Sequence, residues 1–345
     1  MSELTEILDA IEDRAHRGEE MALATIIATR GSTYRRAGAR LLIPAEGEPV
    51  GNISGGCLEG DVARIGREVI SAGQPRDVEF DLTAEDDAVW GYGLGCNGAI
   101  ELYVEPTAGA IEHAALLRAA LGGDPTVLST VIAGPRAGER WSGTDGAAAA
   151  ALRDGNPRVV EESGQRVFHE PMLPPMRLIV CAAGHDAIPL VRQASELGWR
   201  VTVADMRRKL LTQDRFPGAA DFCDADPERA AEAMRHGPRD AVVLMSHNLL
   251  RDQAYLGSFL GADPAPAYLG VLGPRGRTEQ MLAELGRPEA IGRLHAPAGL
   301  DIGAEGPEEV ARAIIAEILA VTRGRDGGPL RDRRGPIHEP GQPPM

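Results

Sequence analysis

The stretch Arg177-Leu178-Ile179-Val180-Cys181-Ala182-Ala183-Gly184-His185-Asp186-Ala187 decides the fold. Arg177 to Ala182 is a short apolar run with the length and β-branched content of a buried strand. Ala183-Gly184-His185 is a turn, and Asp186 to Leu197 carries apolar residues at helical spacing. Trp199 to Ala204 is a second strand ending at Asp205. Strand, tight turn, helix and strand make a βαβ unit of Rossmann type. Downstream the alternation continues. Phe222 to Asp224, Asp240 to Met245 and Ala267 to Leu272 read as strands. Pro227 to His236, Asn248 to Gly261, Arg275 to Leu285 and Pro307 to Thr322 read as helices. Such alternation predicts an α/β, doubly wound parallel sheet over residues 176–322. Arg323 to Met345, dense in Gly, Pro and Arg, is expected to be a disordered tail.

The dinucleotide fingerprint GxGxxG is incomplete here. Its first glycine is Ala182 and its third is Ala187, leaving only Gly184. Gly184 and His185 therefore fit a phosphate-binding turn or a plain one. Asp205 would take a ribose hydroxyl, or Arg207 and Arg208 beside it a 2′-phosphate instead, which keeps NAD(P) among the candidate ligands. Three further loops fall at strand carboxyl ends, where such sheets bind ligands. Ser246-His247-Asn248 offers His247 as proton carrier, ligand or helix cap. Gly273-Pro274-Arg275-Gly276-Arg277 sets Arg275 and Arg277 at a helix start, and Gly299-Leu300-Asp301-Ile302-Gly303 holds Asp301.

Upstream, Pro171 to Pro175 reads as a stiff linker. The segment before it divides into an α+β domain over 1–108 and a small β-containing extension over 109–175. After an amphipathic helix, Met21 to Thr29 is a buried strand that ends in Arg30-Gly31-Ser32-Thr33-Tyr34-Arg35-Arg36. Strand Arg40 to Ile43 follows, then Gly51-Asn52-Ile53-Ser54-Gly55-Gly56-Cys57-Leu58-Glu59-Gly60-Asp61. Helical spacing starts at Cys57, which sets that cysteine in a first helical turn behind two glycines. Free amides and the helix dipole there would bind anions and favour a thiolate. The same pattern also fits a tight turn with a small buried cysteine. Gly93-Leu94-Gly95-Cys96-Asn97-Gly98 repeats the theme of a glycine-flanked cysteine. Thr126 to Ala133 resembles Thr25 to Ala28, and Val167-Phe168-His169-Glu170-Pro171 resembles Tyr103-Val104-Glu105-Pro106, as in a degenerate half-repeat.

Composition narrows the chemistry. A net charge of -15 argues against nucleic acid or an anionic membrane as partner. No signal peptide and no apolar run of membrane length is read in the sequence. Four scattered cysteines, none in a CxxC pair, fit a reducing cytoplasm. Lys209 is the only lysine, so a Walker A loop is absent and anion recognition falls to arginine and backbone amides.

Taken together, Arg30-Gly31-Ser32-Thr33, Gly38-Ala39-Arg40, Ser54 to Gly60, Gly93 to Gly98, Gly184-His185, Arg200 to Asp205, Ser246-His247, Tyr268-Leu269-Gly270 and Pro297 to Gly303 resemble the XdhC/CoxI family. The resemblance runs over roughly residues 20–322. Its members are accessory factors for xanthine dehydrogenase and related molybdenum hydroxylases. It implies a maturation chaperone rather than a turnover enzyme. Such a factor binds the molybdenum cofactor, as molybdopterin or its cytosine dinucleotide. It works with a cysteine desulfurase so that sulfur replaces an oxo ligand, and it delivers the product to the apo-hydroxylase. Arg30, Ser32, Arg40, Ser54, Gly55, Gly56, Glu59, Gly95, Gly184, His185, Asp205, Arg207, His247, Arg275 and Asp301 would hold the cofactor. Cys57 and Cys96 would react or touch the metal. A homodimer is expected by resemblance. Ala182 departs from the glycine many relatives carry, and Asp186 adds negative charge beside a supposed phosphate site. An NAD(P)-dependent oxidoreductase and a scaffold that binds nothing small are the competing readings.

Overall fold

The computed structural model describes residues 3–31, 33–81, 98–224 and 226–334. Ser32, Gly95 and Cys96 lie outside the described residues. The chain forms two compact units, one running to Pro174 and one starting at Pro175.

The N-terminal unit holds two antiparallel sheets. Helix α1 (Glu3–His16) precedes β1 (Met21–Gly31), β2 (Arg40–Pro44) and the short β3 (Val50–Gly51). Then come α2 (Glu59–Ala72), β4 (Arg76–Asp81) and β5 (Gly98–Glu105). These strands line up as β3-β2-β1-β5-β4. The second set is α3 (Thr107–Gly122), β6 (Thr126–Ala133), β7 (Arg140–Gly143), α4 (Gly146–Asp154), β8 (Arg158–Glu162) and β9 (Gln165–Met172). Its strands line up as β7-β6-β9-β8. β1 forms where Met21 to Ile27 are all buried, an unbroken apolar run that suits a central strand. Helix α2 starts two residues later than its apolar spacing suggests, so Cys57 precedes the helix instead of opening it. The reason is Ser54, whose hydroxyl already accepts the amides of Cys57 and Leu58 and holds them in the turn. The close approach of α2 to β2 needs Gly66, where a Cβ would sit 2.6 Å from Ile43.

The C-terminal unit is an all-parallel sheet of β10 (Arg177–Cys181), β11 (Arg200–Ala204), β12 (Asp221–Cys223), β13 (Ala241–Leu244) and β14 (Tyr268–Val271). The order is β12-β11-β10-β13-β14, with the chain reversing its direction of travel between β10 and β13. This is the Rossmann arrangement expected from the sequence. Helices α5 (Ala187–Glu196) and α9 (Pro307–Thr322) cover one face; α6 (Ala230–Met234), α7 (Leu249–Leu260) and α8 (Arg275–Glu284) cover the other. Strands buried on both faces carry apolar residues on both, as β10 and β13 do. Past α9, a short turn forms at Leu330–Asp332, and the would-be Cβ of Gly327 lies 3.0 Å from Leu300. Part of the expected tail thus has a defined path. Among the described residues, no helix is long and apolar enough to cross a membrane.

Candidate functional site

The glycine turn ahead of α2 is organised by Glu59. Its Oε1 accepts the amides of Ile53 at 3.1 Å and Ser54 at 2.9 Å, and its Oε2 accepts Gly56 at 2.9 Å and the Ser54 hydroxyl. Asn52 Oδ1 accepts the Gly55 amide at 2.8 Å, and Ser54 Oγ accepts Cys57 at 3.0 Å and Leu58 at 2.8 Å. Gly55 and Gly56 have φ of 80° and 108°, where a side chain would be strained. All six amides from Ile53 to Leu58 therefore have acceptors within the turn. The expectation of free amides awaiting an anion is corrected here: the chain's own carboxylate occupies the cup. Burial opposes ionisation of Glu59, but the hydrogen bonds from Ser54 and Ile53 outweigh it and hold the carboxyl below its ordinary range. Cys57 follows the cup and is half-buried and free of disulfide.

The Arg30–Arg36 loop lies against this turn. The Tyr34 ring comes within 3.3 Å of a would-be Cβ on Gly55, while the side chain stays 63% exposed. Arg30 pairs with Glu79 and Arg35 with Glu3. The Arg30 pair is exposed on both sides, so it is worth no more than about 1 kcal/mol and opens readily. Arg40 differs. It is buried, and it pairs with Glu170, donates to Gly38 O at 2.7 Å and approaches His113 Nε2 at 3.4 Å. Its place is inside the unit, and the sequence alone does not distinguish it from the loop arginines.

In the C-terminal unit the sequence-selected residues gather on the rim at the strand carboxyl ends. His247 after β13 reaches Asp186 after β10, Nε2 to Oδ2 at 2.8 Å, bridging the two loops at the sheet's switch point. This gives Asp186 a partner in place of a phosphate. His247 adopts φ 56°, a left-handed conformation that is uncommon for a non-glycine residue. His185 is exposed, and a Cβ on Gly184 would meet nothing within 4 Å, so the turn keeps open space. Asp205 is buried and fully engaged. It accepts the Ala183 amide at 2.9 Å, and from Arg207 the amide at 2.8 Å, Nε at 2.9 Å and a terminal nitrogen at 2.7 Å. Burial works against its charge, yet these donors win and hold its pKa low. Arg275 pairs with Glu279 along its own helix, and Asp301 is exposed. Burial pushes the Cys181 thiol up, which marks it as inert core.

Sequence reasoning misses two side chains at this rim. Asp252 is fully buried, accepting Ser246 N at 3.0 Å, Ser246 Oγ at 2.6 Å and Arg277 at 2.7 Å. It ties the loop after β13 to the start of α8. The signal for it is an acid on the stripe that also carries Tyr255, Leu256 and Phe259. Glu317 on α9 accepts Tyr268 OH at 2.6 Å, His295 Nδ1 at 3.0 Å and the Gly299 amide at 2.7 Å, fixing the loop that leads to Asp301. Among the described residues, no group of three or more His, Cys, Asp or Glu is arranged to hold a metal ion.

An antiparallel unit with a cysteine-bearing glycine turn, followed by a five-stranded Rossmann unit, defines a two-part α/β protein. The comparisons give it a family. Residues 14–81 match the XdhC and CoxI family, and residues 178–318 match the XdhC Rossmann domain. A Bacillus subtilis protein described as a probable xanthine dehydrogenase subunit is 33% identical over 332 residues, covering 91% of this chain and 96% of that one. The molybdenum cofactor insertion chaperone PaoD of Escherichia coli is 24% identical over 317 residues, covering 88% and 84%. A crystal structure described as a xanthine dehydrogenase from Bacillus halodurans superposes with a TM-score of 0.73 at 30% identity, covering 94% of this chain and 97% of that one. The chain belongs to the XdhC and CoxI family.

Proposed function

We propose that the protein is an accessory factor for a molybdenum hydroxylase. In this reading it binds the molybdenum cofactor, as molybdopterin or its cytosine dinucleotide, assists its sulfuration by a cysteine desulfurase and delivers it to the apo-hydroxylase in the cytoplasm. Family membership supports an accessory role, and the similarity to PaoD supports a link to the cofactor. The observation that carries the reading is local. A half-buried, unbridged Cys57 adjoins a glycine turn on which Tyr34 of an arginine-rich loop rests.

The residues fit such a ligand in part. The Cys57 sulfur is a soft donor suited to molybdenum or to a persulfide. Exposed arginines such as Arg30 suit a phosphate or pyrophosphate. The turn amides do not, because Glu59 holds them. Ligand exchange at molybdenum belongs to the bound cofactor; this chain's residues bind and orient it. Within the Rossmann unit, Gly184 and His185 leave an open turn that would suit a nucleotide phosphate. Asp205 is a poor ribose acceptor, since its oxygens already serve Ala183 and Arg207.

The deciding experiment is the pterin content of protein purified from a molybdopterin-producing host, with wild type and Cys57→Ser side by side. Stoichiometric pterin in wild type, and less in the variant, is the expected result. Pterin-free protein that instead binds NADH or NADPH would replace this reading with a dehydrogenase-like one. Sedimentation of the same sample tests the expected homodimer.

A further inference from the structure

The two sheets of the N-terminal unit match step for step. Residues 3–105 run α1, β1, β2, α2, β4, β5, with the short β3 added; residues 107–172 run α3, β6, β7, α4, β8, β9. The sheet orders β2-β1-β5-β4 and β7-β6-β9-β8 are the same order under that correspondence. So are the registers. Leu23 pairs with Glu105 and Thr25 with Tyr103; Leu128 pairs with Glu170 and Thr130 with Phe168. Each central pair has one irregularity, between Ile26 and Ala28 in the first and between Val131 and Ala133 in the second. The residues there are Thr-Ile-Ile-Ala at 25–28 and Thr-Val-Ile-Ala at 130–133.

The turns agree as well. Arg36-Ala37-Gly38-Ala39-Arg40 corresponds to Arg136-Ala137-Gly138-Glu139-Arg140. Gly38 and Gly138 have φ of 92° and 97°. Each donates at 2.8 Å to the strand, Gly38 to Ile26 O and Gly138 to Val131 O. Arg40 and Arg140 each donate back to their own glycine carbonyl, at 2.7 Å and 3.0 Å.

The copies also grip each other reciprocally. Arg40 of the first pairs with Glu170 of the second, and Arg140 of the second pairs with Glu105 of the first. Residue i touching j while the mate of j touches the mate of i is the signature of a two-fold relation. The cluster of Ile27, Ile132, Tyr103 and Phe168 consists of two such mate pairs packed on one another. Two unrelated sheets have no reason to share bulge, register, turn and exchanged ion pairs.

We infer that residues 107–172 are a second, diverged copy of the module formed by residues 3–105, and that its Glu170 and Arg140 are positioning residues for the first copy. Glu170 holds Arg40, which closes the hairpin bearing the arginine-rich loop; Arg140 holds Glu105 at the end of β5. The second copy lacks the long loops of the first. Seven residues separate Ala28 from Arg36, but two separate Ala133 from Arg136. The connection from Asp81 to Gly98 corresponds to the two residues between Glu162 and Gln165. Neither Cys57 nor the Glu59 cup has a counterpart ahead of α4. This inference does not depend on the proposed function.

Hydrogen exchange on the full chain tests it through Glu170→Gln and its mate Glu105→Gln. The expected result is a crossed pattern. Glu170→Gln speeds amide exchange at least tenfold in the first copy's hairpin, residues 26–40, and Glu105→Gln does so in the second copy's hairpin, residues 131–140. Loosening confined to the copy that carries the substitution, or equal in both copies for both variants, overturns the inference. Should Glu170→Gln fail to fold, Arg40→Lys is read in the same peptides. Faster exchange in residues 166–171 as well as in the hairpin supports it, and exchange confined to the hairpin overturns it.

Discussion

The two copies in the N-terminal unit share a scaffold and differ in what hangs from it. The first carries the arginine-rich loop, the Glu59 cup and Cys57; the second closes the same positions with short turns. The pairings β1·β5 and β6·β9 are equally regular despite that difference. The strands, the bulge and the Arg-Ala-Gly turn thus persist across loops of different length. Surface loops can lengthen at small cost, whereas a buried Arg–Glu pair cannot lose one member cheaply.

The sharpest way to break the comparison is to remove the exchanged pairs one at a time. Arg40→Ala and Arg140→Ala should each destabilise the unit by about 3–5 kcal/mol in urea unfolding, because each leaves a buried carboxylate without its cation. Comparable losses uphold the equivalence; a loss under about 1 kcal/mol for either variant ends it.

The next largest effect comes from His113, which is buried on α3 with Nδ1 2.6 Å from Glu105 Oε2 and Nε2 3.4 Å from Arg40. Burial, then the Arg40 charge, lowers its pKa from 6.5 to about 3. A depressed histidine pKa means that the unfolded chain takes up the proton first. Stability should therefore be level above the ordinary histidine range and fall as pH drops from 6.5 toward 3. The slope is up to about 1.4 kcal/mol per pH unit. His113→Gln should flatten that slope, and an unchanged slope would assign it to other groups.

Smaller changes belong to the loaded loops. Glu59→Ala should cost about 1 kcal/mol in the same unfolding series, because water can reach the released amides. Cys57→Ser should shift stability by less than about 0.5 kcal/mol, as expected of a half-exposed site, while lowering pterin content. A large stability loss instead would make Cys57 a packing residue.

The Rossmann unit was legible because its signals are local. Apolar runs such as Leu178 to Val180 and Val201 to Val203 announce buried parallel strands, and helical spacing fills the gaps between them. The second copy was legible only as two short echoes, Thr126 to Ala133 and Val167 to Pro171. What identifies it is register, and register is a relation between strands distant in sequence. The site followed the same rule. Gly55, Gly56 and Cys57 stood out as a motif, but Arg40 and Asp205 looked like ligand residues when their partners are Glu170 and Arg207. An ion pair spanning 130 positions leaves no mark on the sequence around either member.

The Glu59 cup has a thermodynamic corollary. A carboxylate tethered a few bonds from the amides it serves acts as a competitor at high local concentration, of millimolar order or above. Simple anions in dilute solution compete poorly with it. A ligand that also grips elsewhere, through a metal–sulfur bond or a second phosphate contact, gains the same multivalent advantage and can prevail. If the proposed cofactor is to use this turn, it must first displace the carboxylate, which only a ligand anchored at a second point would do.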